Sequence, residues 1–125
     1  MSGRDQRILV LAMVVCLVIA ALLLAGPARA HNLPGTEHNR RHAITYSFCH
    51  TLKPCGLGGE ALEVAYCESG PNLWPYARNG QYLGMFQFGS YARSAFGFSW
   101  SPWAQARSAY RYWLVAGWSP WSCRP

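Results

Sequence analysis

The feature that most constrains the fold of this chain is its pattern of cysteines. Four of the five cysteines lie between residues 49 and 123, at Cys49, Cys55, Cys67 and Cys123. An even number of cysteines in a short exported chain indicates two disulfides, and the sequence leaves three pairings open. We favour a local Cys49–Cys55 bridge together with Cys67–Cys123, because closing the longer loop constrains the unfolded chain most. A zinc site is disfavoured, since the chain has no Cys-x-x-Cys pair.

The first thirty residues carry the pattern of an export signal. Arg4 and Arg7 precede a long apolar run that includes Cys16, and Ala28-Arg29-Ala30 supplies the small residues of a cleavage site. We expect cleavage after Ala30, which would remove Cys16 with the leader. The run is also about long enough to cross a bilayer, so residues 1–30 are a signal peptide or a retained N-terminal anchor. The expected location is therefore secreted or extracytoplasmic at the cell wall, with membrane attachment only through this segment.

The rest of the chain is interpreted as a linker over residues 31–43 and one domain over residues 44–125. Residues 31–125 carry eight Lys and Arg against four Glu, a net charge of +4 that suits an anionic polymer such as a bacterial wall. The dispersed arginines and the export signal argue against nucleic acid. His31, His38 and His42 lie in the linker without ligand geometry, so we expect no metal and no cofactor.

A helix is predicted to end at a carboxylate, Glu68. Apolar residues recur at helical spacing over Glu60–Glu68, and Gly70-Pro71 ends the helix. Glu68 then lies in the last turn, where the negative end of the helix dipole disfavours its charged form. This position is poor for stability and favourable for a proton donor. A shorter helix or turn is predicted over Ala43–His50, before the breaks at Lys53-Pro54 and residues 56–59.

A hairpin is predicted after this helix, because Asn79-Gly80 is a strong two-residue turn signal. Residues 82–87 alternate as a strand does, and Gly84 within them indicates close approach by another group, such as a ligand. Flat aromatic faces at Trp74, Tyr76 and Tyr82 suit sugar rings, although burial in the core is an equally good interpretation of each.

Two more helices are predicted in the last third of the chain. Ser90 caps the first, over Tyr91–Phe96, and Gly97 ends it. The second begins with Ser101-Pro102 and stops at Gly117. Its apolar residues form one stripe that we interpret as core, namely Trp103, Ala106, Tyr110, Trp113 and Leu114.

The number of carboxylates narrows the chemistry that this domain can perform. Cleaving a glycosidic bond needs an acid that protonates the leaving oxygen, and Glu68 among aromatic residues is the candidate. Asp and Glu are absent after Glu68, Glu37 lies in the linker, and Glu60 and Glu63 are too far along or around the helix. A single carboxylate fits a reaction in which the substrate supplies its own nucleophile, such as the C6 hydroxyl of muramic acid. The alternatives are attack by water, or a surface Glu without a catalytic role.

Three ordered motifs resemble a known enzyme superfamily. The runs VAYCESG at residues 64–70 and NGQYLGMFQF at residues 79–88 are similar to soluble lytic transglycosylases and goose-type lysozymes. The ending AGWSPWSC at residues 116–123 brings the resemblance closer to the resuscitation-promoting factors of actinobacteria. The resemblance covers about residues 58–124. It implies an α+β, mainly α, disulfide-stapled lysozyme-like transglycosylase domain with a short β-hairpin.

The resemblance also implies roles for individual residues. Glu68 matches the family's catalytic acid, Gln87 the amide that holds substrate, and Cys67 with Cys123 the family's disulfide. Asn79, Tyr82 and Trp74 join the expected substrate-binding set because of their own side-chain chemistry. Tyr110 joins it from a half-matched motif of the family and is equally suited to core packing. The implied activity is cleavage of the MurNAc–GlcNAc bond of peptidoglycan by a secreted monomer. A peptidoglycan-binding module with an inactive lysozyme-like fold is the alternative.

Overall fold

A computed structural model describes residues 6, 10–15 and 35–125 of the chain. The chain divides into two units at residue 31. Residues 10–15 of the first unit are helical, and no helix among the described residues is long and apolar enough to span a membrane. Most of the predicted leader or anchor lies outside the described residues, as do Cys16 and His31.

Residues 35–125 form four helices and one hairpin. The helices are α1 (Glu37–Cys49), α2 (Gly56–Ser69), α3 (Ser90–Phe96) and α4 (Pro102–Ala116), and the strands are β1 (Arg78–Asn79) and β2 (Tyr82–Leu83). The strands are antiparallel, with Asn79 opposite Tyr82. The prediction of a mainly helical domain with one short hairpin is confirmed.

Helix α1 begins earlier than the sequence predicted. Thr36 caps it, its hydroxyl accepting a 3.4 Å hydrogen bond from the Asn39 N–H. Residues 37–43 are therefore helical, and the prediction of a linker is wrong there. The helix was missed because its inward face includes a buried arginine: the Arg40 guanidinium donates to the carbonyl of Asn72 at 2.9 Å and to that of Gly35.

Helix α2 also begins earlier, at Gly56, within the glycine-rich stretch predicted to break helical structure. Cys55 caps it, its Sγ accepting a 3.3 Å hydrogen bond from the Gly58 N–H. Gly58 lies against the Cys49–Cys55 disulfide, since a Cβ added at this position would stand 2.5 Å from the Cys49 sulfur. The predicted end of the helix is confirmed: Gly70 follows it with a φ of 89°, in the left-handed region that favours glycine.

Helix α4 has the ends that its sequence predicts, with the Ser101 hydroxyl accepting from the Ala104 N–H at its start and Gly117 at its stop. Its inward stripe is only partly as predicted, because Leu114 is 59% exposed and Gln105 is fully buried. In α3, Ser90 is the first helical residue and Gly89 the cap, so the predicted cap is wrong by one residue.

The core is centred on Phe86 and Phe88, which are almost fully buried between the helices. Helix α1 packs against both α2 and α4, and α3 packs on α4. Phe48 of α1 stacks on Phe86 and on Trp118, with ring centroids 6.1 and 5.6 Å apart. The remaining buried apolar residues are Ala43, Ile44, Ala61, Val64, Ala65, Leu73, Met85, Ala92, Ala106, Ala109 and Trp121.

Two disulfides fasten this core, and both favoured pairings are confirmed. Cys49–Cys55 joins the end of α1 to the start of α2, with Cα atoms 5.8 Å apart. Cys67–Cys123 joins the end of α2 to the C-terminal tail, with Cα atoms 5.9 Å apart. A disulfide therefore holds each end of α2.

Candidate active site

Four of the residues predicted for the site line one cleft. This Glu68 cleft has a volume of about 210 Å³ and opens to solvent. Its lining residues are Glu68, Asn79, Tyr82, Gln87, Pro120, Trp121 and Ser122. The structure thus brings the candidate proton donor, both candidate amides and one candidate sugar-stacking ring to a single surface.

Glu68 lies in the last turn of α2, as predicted, and is half-buried. Its Oε1 accepts a 3.1 Å hydrogen bond from the backbone N–H of Cys123. Its Oε2 has no hydrogen-bond partner within residues 35–125. One carboxylate oxygen is therefore held by the C-terminal tail, and the other is open to a further hydrogen-bond partner.

Gln87 reaches the cleft from a tight turn, and not from the strand that the sequence predicted. Strand β2 ends at Leu83, whose N–H and carbonyl exchange hydrogen bonds with Phe88 at 3.1 and 2.8 Å. The four residues between them form the turn, and Gln87 has a φ of 49°. A non-glycine residue in the left-handed region is uncommon and often marks a functional position. The Gln87 Nε2 donates to the Gly84 carbonyl at 3.0 Å, which holds the side chain and leaves its Oε1 as an acceptor.

The group that approaches Gly84 is a protein amide, Gln105, and not a ligand. A Cβ added to Gly84 would lie 2.4 Å from the Gln105 Oε1, and the φ of Gly84 is 83°. Gln105 accepts from the Met85 N–H at 2.8 Å and donates to the Pro75 carbonyl at 2.9 Å. This buried side chain therefore ties the Gln87 turn to α4 and to the preceding loop.

The hairpin positions the remaining two predicted residues of the cleft. Asn79 and Tyr82 are opposite each other across the two-residue turn, where Gly80 has a φ of 59°. Tyr82 is 46% exposed, so a large part of its ring is accessible. Tyr82 is therefore not part of the buried core, and its ring is accessible to a ligand.

Part of the cleft lining comes from the C-terminal tail, at Pro120, Trp121 and Ser122, which the sequence analysis did not include in the site. Trp121 is 5% exposed, and its indole N–H donates to the Phe86 carbonyl at 3.0 Å. A signal for this wall was present in the sequence. Because Cys67 precedes Glu68, a Cys67–Cys123 bridge places the residues just before Cys123 beside that carboxylate.

The Glu68 cleft continues along the molecule into a second depression of about 230 Å³. The two share Tyr82, Gln87, Pro120 and Trp121, and the second extends to Tyr91 and Tyr112. The combined surface is a groove with Glu68 in one part and aromatic side chains in the other.

Glu68 is the only carboxylate that lines this cleft within residues 35–125. Glu37 accepts from the Tyr66 hydroxyl at 2.9 Å and pairs with Arg41 at 3.4 Å. Glu60 accepts a 2.8 Å hydrogen bond from the Trp118 indole N–H. Glu63 is exposed on α2.

Two of the predicted substrate-binding residues lie outside the Glu68 cleft. Trp74 is 47% exposed, with its ring 5.3 Å from Tyr76 and the Arg40 guanidinium 5.7 Å above it. Tyr110 belongs to α4 and lines a different cleft, between α4 and α1. Its hydroxyl shares a 2.9 Å hydrogen bond with the His50 Nε2. The structure therefore does not bring Trp74 or Tyr110 to the candidate proton donor.

Within the described part of the chain, no three His, Cys, Asp or Glu side chains stand close enough to hold a metal ion. Comparisons of the chain with protein-family models, curated proteins and solved structures found no match.

Proposed function

We propose that this protein is an exported, lysozyme-like enzyme that cleaves the MurNAc–GlcNAc bond of peptidoglycan with Glu68 as its single acid and base. The observation that carries the proposal is the placement of Glu68 in one cleft with Asn79, Tyr82 and Gln87. The other described carboxylates are engaged elsewhere or exposed. The ordered motifs that resemble lytic transglycosylases support the same activity.

The reaction needs only one proton carrier. Glu68 in its protonated form gives its proton to the glycosidic oxygen as the bond from that oxygen to C1 of MurNAc breaks. The C6 oxygen of the same sugar then forms a bond to C1, and its proton returns to Glu68. The products are a chain end with a free GlcNAc hydroxyl and a 1,6-anhydro-MurNAc end, and the carboxyl group is regenerated.

The lining residues supply the contacts that would hold the glycan. Tyr82 offers a largely exposed ring to a pyranose, and Trp121 lines the same cleft. Asn79 and the free Oε1 of Gln87 are suited to hydroxyl and acetamido groups. The Cys123 N–H fixes one oxygen of Glu68, so that the reacting group is held in place before substrate arrives.

The direct test compares Glu68→Gln with Glu63→Gln in purified, disulfide-bonded protein acting on purified peptidoglycan sacculi. Removing a general acid costs about a hundredfold to ten-thousandfold in rate, so Glu68→Gln should release almost no soluble muropeptide. Glu63→Gln changes an exposed carboxylate of the same helix and should retain activity. Equal activity of Glu68→Gln and wild type would remove Glu68 from the chemistry.

Binding of the same sacculi separates the enzyme from its alternative. Glu68→Gln should bind sacculi as wild type does, because the amide has nearly the same shape and lacks only an acidic proton that it can transfer. A wild-type protein that binds sacculi and releases nothing would support a wall-binding module with an inactive lysozyme-like fold. A wild-type protein that neither binds nor cleaves sacculi would overturn both functions.

A further inference from the structure

We propose that the cleft between α1 and α4 is a second binding site, for a carboxylate carried on an aromatic body. This α1–α4 cleft has a volume of about 230 Å³. It is lined by Tyr46, Ser47, His50, Trp103, Arg107, Tyr110 and Arg111. None of these residues lines the Glu68 cleft, so the site is separate from the proposed catalytic centre.

The charge of the α1–α4 cleft favours an anion. Two guanidinium groups line it, and none of its described lining residues is Asp or Glu. Arg111 is partly engaged, because it donates to the Phe96 carbonyl at 2.8 Å and to the Ser108 hydroxyl at 3.2 Å. Arg107 is exposed and has no hydrogen bond or ion pair within residues 35–125. Its planar fork of donors therefore remains available for a carboxylate, which it matches in a bidentate manner.

The walls of the cleft are aromatic. Tyr46 meets Trp103 edge to face at 5.7 Å, and His50 meets Tyr110 in the same way at 4.9 Å. Tyr46 remains 48% exposed, which leaves much of its apolar ring in contact with water. A flat apolar group between these rings would remove that surface from water and stack on it.

A buried hydroxyl provides a third, independent observation. Ser47 is 6% exposed, and its Oγ has no hydrogen-bond partner in the described part of the molecule. Leaving a buried polar group unsatisfied costs about 1–3 kcal/mol, so such groups call for an explanation. Because Ser47 lines the cleft, rotation of its side chain toward a bound carboxylate would give the hydroxyl an acceptor.

Size and charge together select the ligand class. A cavity of about 150 Å³ admits a benzene ring, so a cleft of about 230 Å³ has room for a ring with a carboxylate substituent. The fork of donors on Arg107 matches the two oxygens of a carboxylate, and Arg111 adds a second positive charge to the same cleft. The chemistry proposed for the ligand is thus an aromatic carboxylate.

The test is an NMR titration of the purified, disulfide-bonded chain with benzoate, followed by amide chemical shifts. Benzoate should shift signals of Tyr46, Ser47 and Arg107 and leave those of Asn79 and Gln87 unchanged. Benzyl alcohol has the same ring without the charge and should bind at least tenfold more weakly. Equal binding of benzyl alcohol, a stronger response to inorganic phosphate, or shifts confined to the Glu68 cleft would each overturn the proposal.

Variants distinguish a binding role of the cleft residues from a structural one. Arg107→Gln should weaken benzoate binding at least tenfold, whereas Arg124→Gln removes the same charge from another exposed position and should not. Ser47→Ala should weaken binding several-fold without lowering the melting temperature, because the hydroxyl has no partner to lose. Unchanged benzoate affinity in both Arg107→Gln and Ser47→Ala would contradict the site.

Discussion

Helix α2 is held by a disulfide at each end, and the two ends differ in what the disulfide does. At its start, Cys49–Cys55 joins residues only 6 positions apart and lies against Gly58. None of these three residues lines the Glu68 cleft. At its end, Cys67–Cys123 joins residues 56 positions apart and flanks the proposed proton donor. The first disulfide shapes a turn between helices, whereas the second brings two distant segments together to form a cleft.

The difference shows how a small domain can build a site with few residues. The residue after Cys67 is Glu68, and the Cys123 N–H donates to its carboxylate. The three residues before Cys123 form one wall of the cleft. The Cys67–Cys123 disulfide therefore holds Glu68, the N–H that donates to it, and the tail residues that line the cleft. The local disulfide has no such role.

The largest effect should come from removing the long bridge. The chain-entropy estimate for a loop of 56 residues is about 4 kcal/mol, so Cys67→Ala/Cys123→Ala should lower the free energy of unfolding by about that amount. Activity on sacculi should fall further than the loss of folded protein explains, because the tail no longer holds Glu68. Denaturant unfolding and activity per folded molecule measure the two effects, and full activity in the folded fraction would contradict the site-building role.

Removing the local bridge should have a smaller and purely structural effect. The same estimate for 6 residues is about 2 kcal/mol. Cys49→Ala/Cys55→Ser keeps a capping side chain at the start of α2, since serine is a good N-cap. We expect lower stability by urea denaturation and unchanged activity per folded molecule. A loss of activity equal to that of the long-bridge variant would erase the contrast between the two ends.

A pair of glycine variants tests how closely the local bridge packs against α2. Gly58→Ala places a methyl group 2.5 Å from the Cys49 sulfur, and overpacking of this kind costs about 1–3 kcal/mol. Gly59→Ala meets nothing within 4 Å and should stabilise the helix by up to about 1 kcal/mol. Melting temperatures that move in opposite directions would support the packing described, and equal shifts would contradict it.

The smallest effect concerns Tyr66, which ties the end of α2 to the start of α1 without a covalent bond. Its hydroxyl donates to Glu37 at 2.9 Å, so Tyr66→Phe should cost about 0.5–1.5 kcal/mol at neutral pH. Burial, and next the hydrogen bond to Glu37, raise the pKa of Tyr66 above its ordinary value of 10.0.

This raised pKa also predicts a dependence on alkaline pH. A group whose pKa is higher in the folded state contributes stability below its unfolded pKa and loses it as the pH rises through the folded value. Wild-type stability should therefore fall above about pH 10, and the part of that fall due to Tyr66 should be absent in Tyr66→Phe. If the free energy of unfolding fell equally in wild type and Tyr66→Phe from pH 9 to pH 11, this contribution of Tyr66 would be contradicted.

How much of this molecule the sequence predicts depends on whether the signal is local. Three features follow from backbone chemistry within a few residues, and all were predicted. They are the ends of α4 at Ser101 and Gly117, the Asn79-Gly80 turn, and the last turn of α2. The start of α1 was missed because one of the carbonyls that accept from the buried Arg40 belongs to Asn72, which is distant in sequence.

The site shows the same limit. Glu68, Asn79, Tyr82 and Gln87 were identified from motifs, but the wall that includes Trp121 requires the Cys67–Cys123 pairing to be known first. Gln105 is polar and so had no place in an apolar stripe, although it holds the Gln87 turn. Leu114 matched the stripe by spacing, but it is 59% exposed in the structure, so spacing alone did not identify which side of α4 is buried.

Mass spectrometry of the muropeptides released from sacculi by the wild-type protein tests the single-carboxylate mechanism most directly. Glu68 is the only described carboxylate in the cleft, so the proposed mechanism has the muramic acid supply its own nucleophile. The released fragments should therefore end in 1,6-anhydro-MurNAc, one water lighter than the hydrolysed form. Fragments that end only in reducing MurNAc would show that water is the nucleophile and would contradict this account.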